Sequence, residues 1–131
     1  MTGRIGADTS LLIDFFKGEE HAVNFIRAHA GELVVSELVI YEFLCGNITE
    51  KEQHIFLGAM QSFPTSQVNR SVALIASQLF RTGKKSGITV GHQDTLIAAT
   101  YLAVGIKHIA TRNAKHFTSL KDITVLEYTK K

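Results

Sequence analysis

Three acidic residues stand where a carboxylate could do chemistry: Asp8, Glu42 and Asp94. Asp8 follows Ile5-Gly6-Ala7 and precedes Thr9-Ser10, so it closes a short apolar run just where a helix can begin. An Asp there serves equally as a helix N-cap, and a cap can also face a ligand. Glu42 is the most informative of the three. It lies inside Leu38-Val39-Ile40-Tyr41-Glu42-Phe43-Leu44-Cys45, and on a helix its neighbours are Leu38, Val39, Cys45 and Gly46. A charge on such a face is costly unless it is neutralised, paired or bound to metal, and no basic residue lies at helical spacing. The alternative puts Glu42 on the exposed side of a mostly buried helix. Asp94, within Gly91-His92-Gln93-Asp94-Thr95-Leu96-Ile97-Ala98-Ala99-Thr100, opens a helix and can be read as a cap or as a ligand. A fourth polar position is Thr111-Arg112-Asn113, where Asn113 suits either a hydrogen bond to metal-bound water or a turn. An oxygen-rich site built from these segments suits a hard cation, Mg²⁺ or Mn²⁺. Such an ion activates water and stabilises charge on phosphate oxygens.

Positioning these residues requires an alternating set of strands and helices. The pattern predicts a strand at 4–8 and a helix over 9–16 carrying Leu11, Leu12, Phe15 and Phe16. A second helix over 19–30 presents Ala22, Val23, Phe25 and Ile26 inward, and 32–36 reads as a buried strand. Residues 37–45 fit strand or helix, with Gly46-Asn47 as a helical stop. Thr49-Glu50-Lys51-Glu52 fits a capping box for a helix over 49–62 with Ile55, Phe56, Ala59 and Met60 on one side. Pro64, the single proline, leads into a strand or turn. A helix over 69–82 turns Val72, Leu74, Ile75, Leu79 and Phe80 inward. Helix 94–104 is rich in alanine and closed by Gly105; strands at 107–111 and 123–127 complete the chain. Alternation of this kind implies a parallel sheet with right-handed crossovers, which binds ligands outside the carboxyl ends of its strands.

The 131 residues suit one domain and can bury a core without disulfides or structural metal. Apolar residues at 45% and charged residues at 20% are ordinary for a globular protein. The net charge of +2 permits a nucleic-acid partner without arguing for one. One cysteine, Cys45, excludes an internal disulfide, fits a reducing compartment and reads as a small core residue. No basic stretch runs into an apolar segment at residues 1–8, and no apolar run approaches a membrane span, so a cytoplasmic protein with no membrane partner is expected. The six histidines lack metal-binding spacing; His92 and His116 lie near the proposed site and read as surface residues able to touch a phosphate. Arg81, Lys84, Lys85, Arg112, Lys115 and Lys121 could form a basic rim for RNA.

Taken together, four segments make the chain resemble PIN-domain nucleases, and within them the VapC-type toxins of prokaryotic toxin–antitoxin pairs. They are Gly6-Ala7-Asp8-Thr9-Ser10-Leu11-Leu12-Ile13, Ser36–Gly46 around Glu42, Asp94–Thr100, and Thr111-Arg112-Asn113-Ala114-Lys115-His116-Phe117. Each is weak alone; their order and spacing span nearly the whole chain. The resemblance implies a single α/β PIN-like domain over residues 1–131, three-layered, with a parallel sheet in order 3-2-1-4-5 flanked by helices. It implies that Asp8, Glu42 and Asp94 carry the metal site, Asp8 and Asp94 directly and Glu42 through water or as the group positioning it. Thr9, Ser10, Thr111 and Asn113 would position substrate, water or Asp8. The implied activity is Mg²⁺- or Mn²⁺-dependent endoribonuclease cleavage of RNA, tRNA or rRNA among the candidates, leaving 5′-phosphate and 3′-hydroxyl ends. The implied partners are a cognate antitoxin protein and a second copy of the chain, as a homodimer. The chain departs from the family near its fourth acidic position, where Asn113 and His116 are not acidic, which bears on whether a second metal ion binds.

Two other readings compete. A phosphate-transferring α/β protein of the haloacid-dehalogenase or response-regulator type needs an aspartyl nucleophile with a neighbouring acid and a late lysine. Here Asp8 is followed by Thr9-Ser10, and Thr111-Arg112-Asn113 supplies no lysine. The other reading is a PIN-like module that binds RNA or protein with weak or no catalysis, which the non-acidic Asn113 and His116 keep open.

Overall fold

The computed structural model describes residues 3–129, so the ends of the expected 1–131 domain lie outside the described residues. The chain runs β1 (Ile5–Ala7), α1 (Thr9–Phe16), α2 (Glu20–His29), β2 (Leu33–Ser36), α3 (Glu37–Leu44), α4 (Glu50–Met60), β3 (Thr65–Ser66), α5 (Arg70–Lys85), α6 (His92–Leu102), β4 (His108–Thr111) and β5 (Thr124–Glu127), with short 3₁₀ turns at Ala30–Glu32 and Ala114–His116. The strands form one parallel sheet in the order β3-β2-β1-β4-β5. That is the expected topology, flanked by helices. The ambiguous segment 37–45 is helical, as α3. No helix among the described residues is long and apolar enough to cross a membrane.

β1 is central, with Gly6 in register between Val34 of β2 and Ile109 of β4. Every residue of β1 and β2 is buried, as strands covered on both faces must be. α6 lies close over them because Ala98 and Ala99, both fully buried, keep its inner face thin. Tyr101 fixes its position: the hydroxyl donates to the Ala7 carbonyl and accepts from the Ser36 N–H at 2.9 Å. The ring lies over Gly6, where a Cβ would stand 2.5 Å from it, so glycine is required for this approach. α6 is thereby pinned to the two strands that lead into α1 and α3.

The cap of α4 follows the sequence. Thr49 and Glu52 form the reciprocal capping box, with bonds of 3.1 and 2.9 Å. Three inward assignments need correction. Leu74 is 60% exposed and Ile55 52% exposed. On α5 the stripe Val72, Ala76, Leu79 occupies the core, and Leu74 lies about 200° around the helix from Val72. On α4 the buried pair is Phe56 and Met60, one turn apart, which turns Ile55 outward. Cys45, expected in the core, is exposed, because it caps α3 beyond the last buried residue, Phe43.

Candidate functional site

The carboxyl edge of the sheet is where β1, β2 and β4 hand the chain to α1, α3 and the turn after Thr111. Asp8 leaves β1 here, anchored by its N–H to the Ala110 carbonyl at 3.0 Å. It occupies the N-cap position of α1, yet its side chain makes no capping bond. Its buried carboxylate instead takes two hydroxyl donors on one oxygen, Oδ2: Ser10 at 3.0 Å and Thr111 at 2.7 Å. Each hydroxyl is held in turn by a backbone N–H. Arg112 donates to Ser10 Oγ at 3.1 Å, and Asn113 donates to Thr111 Oγ1 at 2.9 Å. Two relays therefore run from the turn after β4 into one oxygen of Asp8, fixing its rotamer and leaving Oδ1 free of them.

Glu42 sits half-buried on α3, and the Thr9 hydroxyl donates to its Oε1. Asp94 lies in the first turn of α6 but does not cap it. The helix begins at His92 with Gly91 as cap, two residues earlier than the sequence pattern predicts. The cap reading of Asp94 is thereby replaced, and its half-buried side chain faces Nδ1 of His116 at 3.3 Å. The Asp94 carboxyl titrates above the ordinary carboxylate range. Partial burial is the main cause; the negative charges of Asp8 and Glu42 add to it, and His116 opposes it. Asp8, Glu42 and Asp94 thus share one electrostatic neighbourhood. A cavity of about 510 Å³ opens beside Asp94, lined also by Val90, Gly91, Lys115 and His116.

The donor set suits a hard divalent cation: it is all oxygen, one Asp8 oxygen is left open, and Asp94 carries a charge penalty that a cation would relieve. Among the described residues, however, no group of three or more His, Cys, Asp or Glu side chains is gathered as a ready-made cage. Ion binding at this edge would have to draw the carboxylates inward.

Thr9, Ser10 and Thr111 contact the acids directly; Asn113 contributes through its backbone N–H. Sequence reasoning missed Asp14. It is buried on α1, where it accepts from Arg112 Nη1 and from the Tyr128 hydroxyl. The signal was present, since Asp14 lies between Ile13 and Phe15 much as Glu42 lies among apolar neighbours. The expected basic rim is divided. Arg112 is committed to Asp14 and Lys115 borders the Asp94 cavity, while Arg81, Lys85 and Lys121 lie elsewhere.

Asp94→Asn should raise the melting temperature of the metal-free protein at neutral pH. A carboxyl whose folded pKa is raised binds its proton more tightly in the folded state, so its ionisation opposes folding above that pKa. Stability is regained as pH falls toward the ordinary value of 3.8. The advantage of the variant should therefore shrink on acidification. Thermal melts across this range test it; a variant that melts below the parent at neutral pH contradicts a charge penalty at Asp94.

A family model described as PIN domain matches residues 6–122. Among curated relatives, Ribonuclease VapC1 of Methanocaldococcus jannaschii is 28% identical over 127 residues, covering 97% of this chain and 88% of its own length. Ribonuclease VapC19 of Mycobacterium tuberculosis is 30% identical over 123 residues, covering 88% of this chain and 94% of its own. Among solved structures, a DNA-bound VapBC from Salmonella typhimurium superposes with a TM-score of 0.82 at 17% identity, covering 97% of this chain and 99% of that one. A toxin–antitoxin complex from Klebsiella pneumoniae gives a TM-score of 0.80 at 21% identity, with 97% and 99% coverage. At those identities the structural likeness shows a shared fold.

Proposed function

The chain belongs to the PIN domain family, and we propose that it is a metal-dependent endoribonuclease acting as the toxin of a toxin–antitoxin pair. The observation that carries this reading is at the carboxyl edge of the sheet, where Ser10 and Thr111 hold Asp8 and the adjacent Thr9 holds Glu42. The ribonuclease names of its relatives support RNA as substrate, and the toxin–antitoxin complexes among its structural neighbours support an antitoxin as the protein that restrains it.

In this reading Asp8 and Asp94 hold Mg²⁺ or Mn²⁺, and Glu42 ligates it through water. A divalent ion held there would supply Lewis-acid polarisation of a phosphodiester oxygen and activation of water. The protein's own part is positional. Ser10 and Thr111 keep Asp8 in one rotamer, Thr9 orients Glu42 toward the water, and Lys115 and His116 meet phosphate at the rim of the Asp94 cavity. Attack of water on phosphorus would form the new P–O bond as the P–O3′ bond breaks, the water's proton passing to solvent and the 3′ oxygen taking one up, which leaves 5′-phosphate and 3′-hydroxyl ends. Structured RNA such as tRNA or rRNA is the substrate class, and two copies of the chain act as a homodimer.

The test is cleavage of mixed RNA by the purified protein with millimolar Mn²⁺ or with chelator, followed by end analysis. Cleavage that requires the ion and leaves 5′-phosphates is expected. RNA binding without cleavage in any divalent ion would replace this reading with that of a binding module.

A further inference from the structure

The opposite, amino-terminal edge of the sheet carries a second concentration of charge. A groove of about 550 Å³ lies between the final turns of α5 and α6 and the segments leading into β4 and β5. Arg81, Lys85, Lys107 and Lys121 line it, with Asp122 as the one carboxylate among its lining residues. All four cations are exposed, and among the described residues none of them is held in a salt bridge. The carboxyl ends of α5 and α6 oppose them with a partial negative charge of about one half each. That still leaves the groove positive, with roughly the net charge of +2 that the entire chain carries. Lys85 complements the carboxyl end of α5, but exposed cations gathered along one groove repel one another, a cost that a bound polyanion would relieve.

We propose that this groove is a secondary RNA site that binds the phosphate backbone and anchors substrate away from the carboxylates. The proposal rests on the reading of the protein as one that acts on RNA. The cations come from three segments, α5 and the approaches to β4 and β5, and are spread along an open groove. That arrangement fits a line of phosphates better than a single one. Among the described residues every polar side chain lining it is exposed, which suits recognition by charge over base readout. Lys107 and Thr111 bracket β4, about 13 Å apart at the ordinary strand rise. Thr111 touches Asp8, so the groove and the cleavage centre lie at opposite ends of a single strand. A folded RNA can engage both; a short oligonucleotide seated at the carboxylates cannot. Substrate size would thereby be sensed by charge placement, with no need for base readout.

The experiment compares two probes, a fluorescently labelled tRNA transcript and a labelled hexaribonucleotide, by anisotropy in chelator. The proteins are Asp8→Asn alone and Asp8→Asn with Lys85→Ala, Lys107→Ala and Lys121→Ala. A parallel glutamine triple guards against misfolding, and melts confirm that each variant is folded. The groove variants should bind the transcript about tenfold more weakly or worse, and the slope of log affinity against log salt should flatten by about 2, with hexanucleotide binding unchanged. An unchanged slope for the transcript, or equal loss on both probes, overturns the proposal. Because binding is read without metal or turnover, failure of the nuclease reading would leave this result standing. Conversely, cleavage by the parent with an unchanged slope would sink the groove alone.

Discussion

Asp8→Asn is expected to lower RNA cleavage by about a thousandfold or more, roughly 4 kcal/mol of transition-state stabilisation, while leaving the protein folded. The amide retains an oxygen that can accept from Ser10 and Thr111, so the two relays that end on Oδ2 survive. What disappears is the negative charge proposed to hold the cation. Asp8→Ala makes the useful contrast. It strips the acceptor from two hydroxyls that are themselves buried, which costs about 1–3 kcal/mol of stability in addition to activity. Glu42→Gln should be milder, about a hundredfold in rate, because Glu42 is assigned to act through water and its amide oxygen can still accept from Thr9. Cleavage rates at saturating Mn²⁺, paired with urea unfolding of the same preparations, separate these effects. An Asp8→Asn protein within tenfold of the parent would remove Asp8 from the chemistry.

What the sequence made legible depends on how far apart the determining residues lie. The Thr49–Glu52 capping box is complete within four residues and could be read outright. Alternation and the handedness of crossovers imply a parallel sheet, while the strand order came from the resemblance to PIN-domain nucleases. The helix faces were harder. Ile55 is apolar and one turn from Ala59, but which face meets the core is settled by packing across the molecule, and Leu74 lies off the stripe that Val72 and Leu79 define. The candidate site was legible as a set of residue types, since an acid among apolar neighbours is costly wherever it folds. Its internal wiring was not. Ser10 and Thr111 are 101 residues apart, and only the register of β1 with β4 brings both hydroxyls onto one oxygen of Asp8. The basic residues show the same limit in reverse. Arg112 and Lys121 look alike in sequence, yet one is bound to a buried acid and the other lines a groove at the far edge.

Asp14→Ala should destabilise the fold by about 3 kcal/mol, the largest stability effect expected of a side chain that never touches the proposed metal. Asp14 is buried on α1 and gathers two donors from distant segments, Arg112 after β4 and Tyr128 after β5. Burial, then the hydrogen bond to Asp14, pushes the Tyr128 hydroxyl well above its ordinary range, so it remains a donor at any physiological pH. Without Asp14 that hydroxyl is buried with its principal acceptor gone. Arg112, about half exposed, can turn to water, so its share of the cost is smaller. A double-mutant cycle follows from this imbalance. Tyr128→Phe in the Asp14→Ala background removes the stranded hydroxyl, and the pair should cost clearly less than the sum of the two single changes. The effect should reach the site as well. The Arg112 side chain holds the turn whose N–H supports Ser10, which supports Asp8. Asp14→Ala should therefore reduce kcat more than it raises KM, at temperatures where the variant is still folded. Additive stabilities in the cycle, or a folded variant with unaltered kcat, would mean that Asp14 neither staples these segments nor supports Asp8.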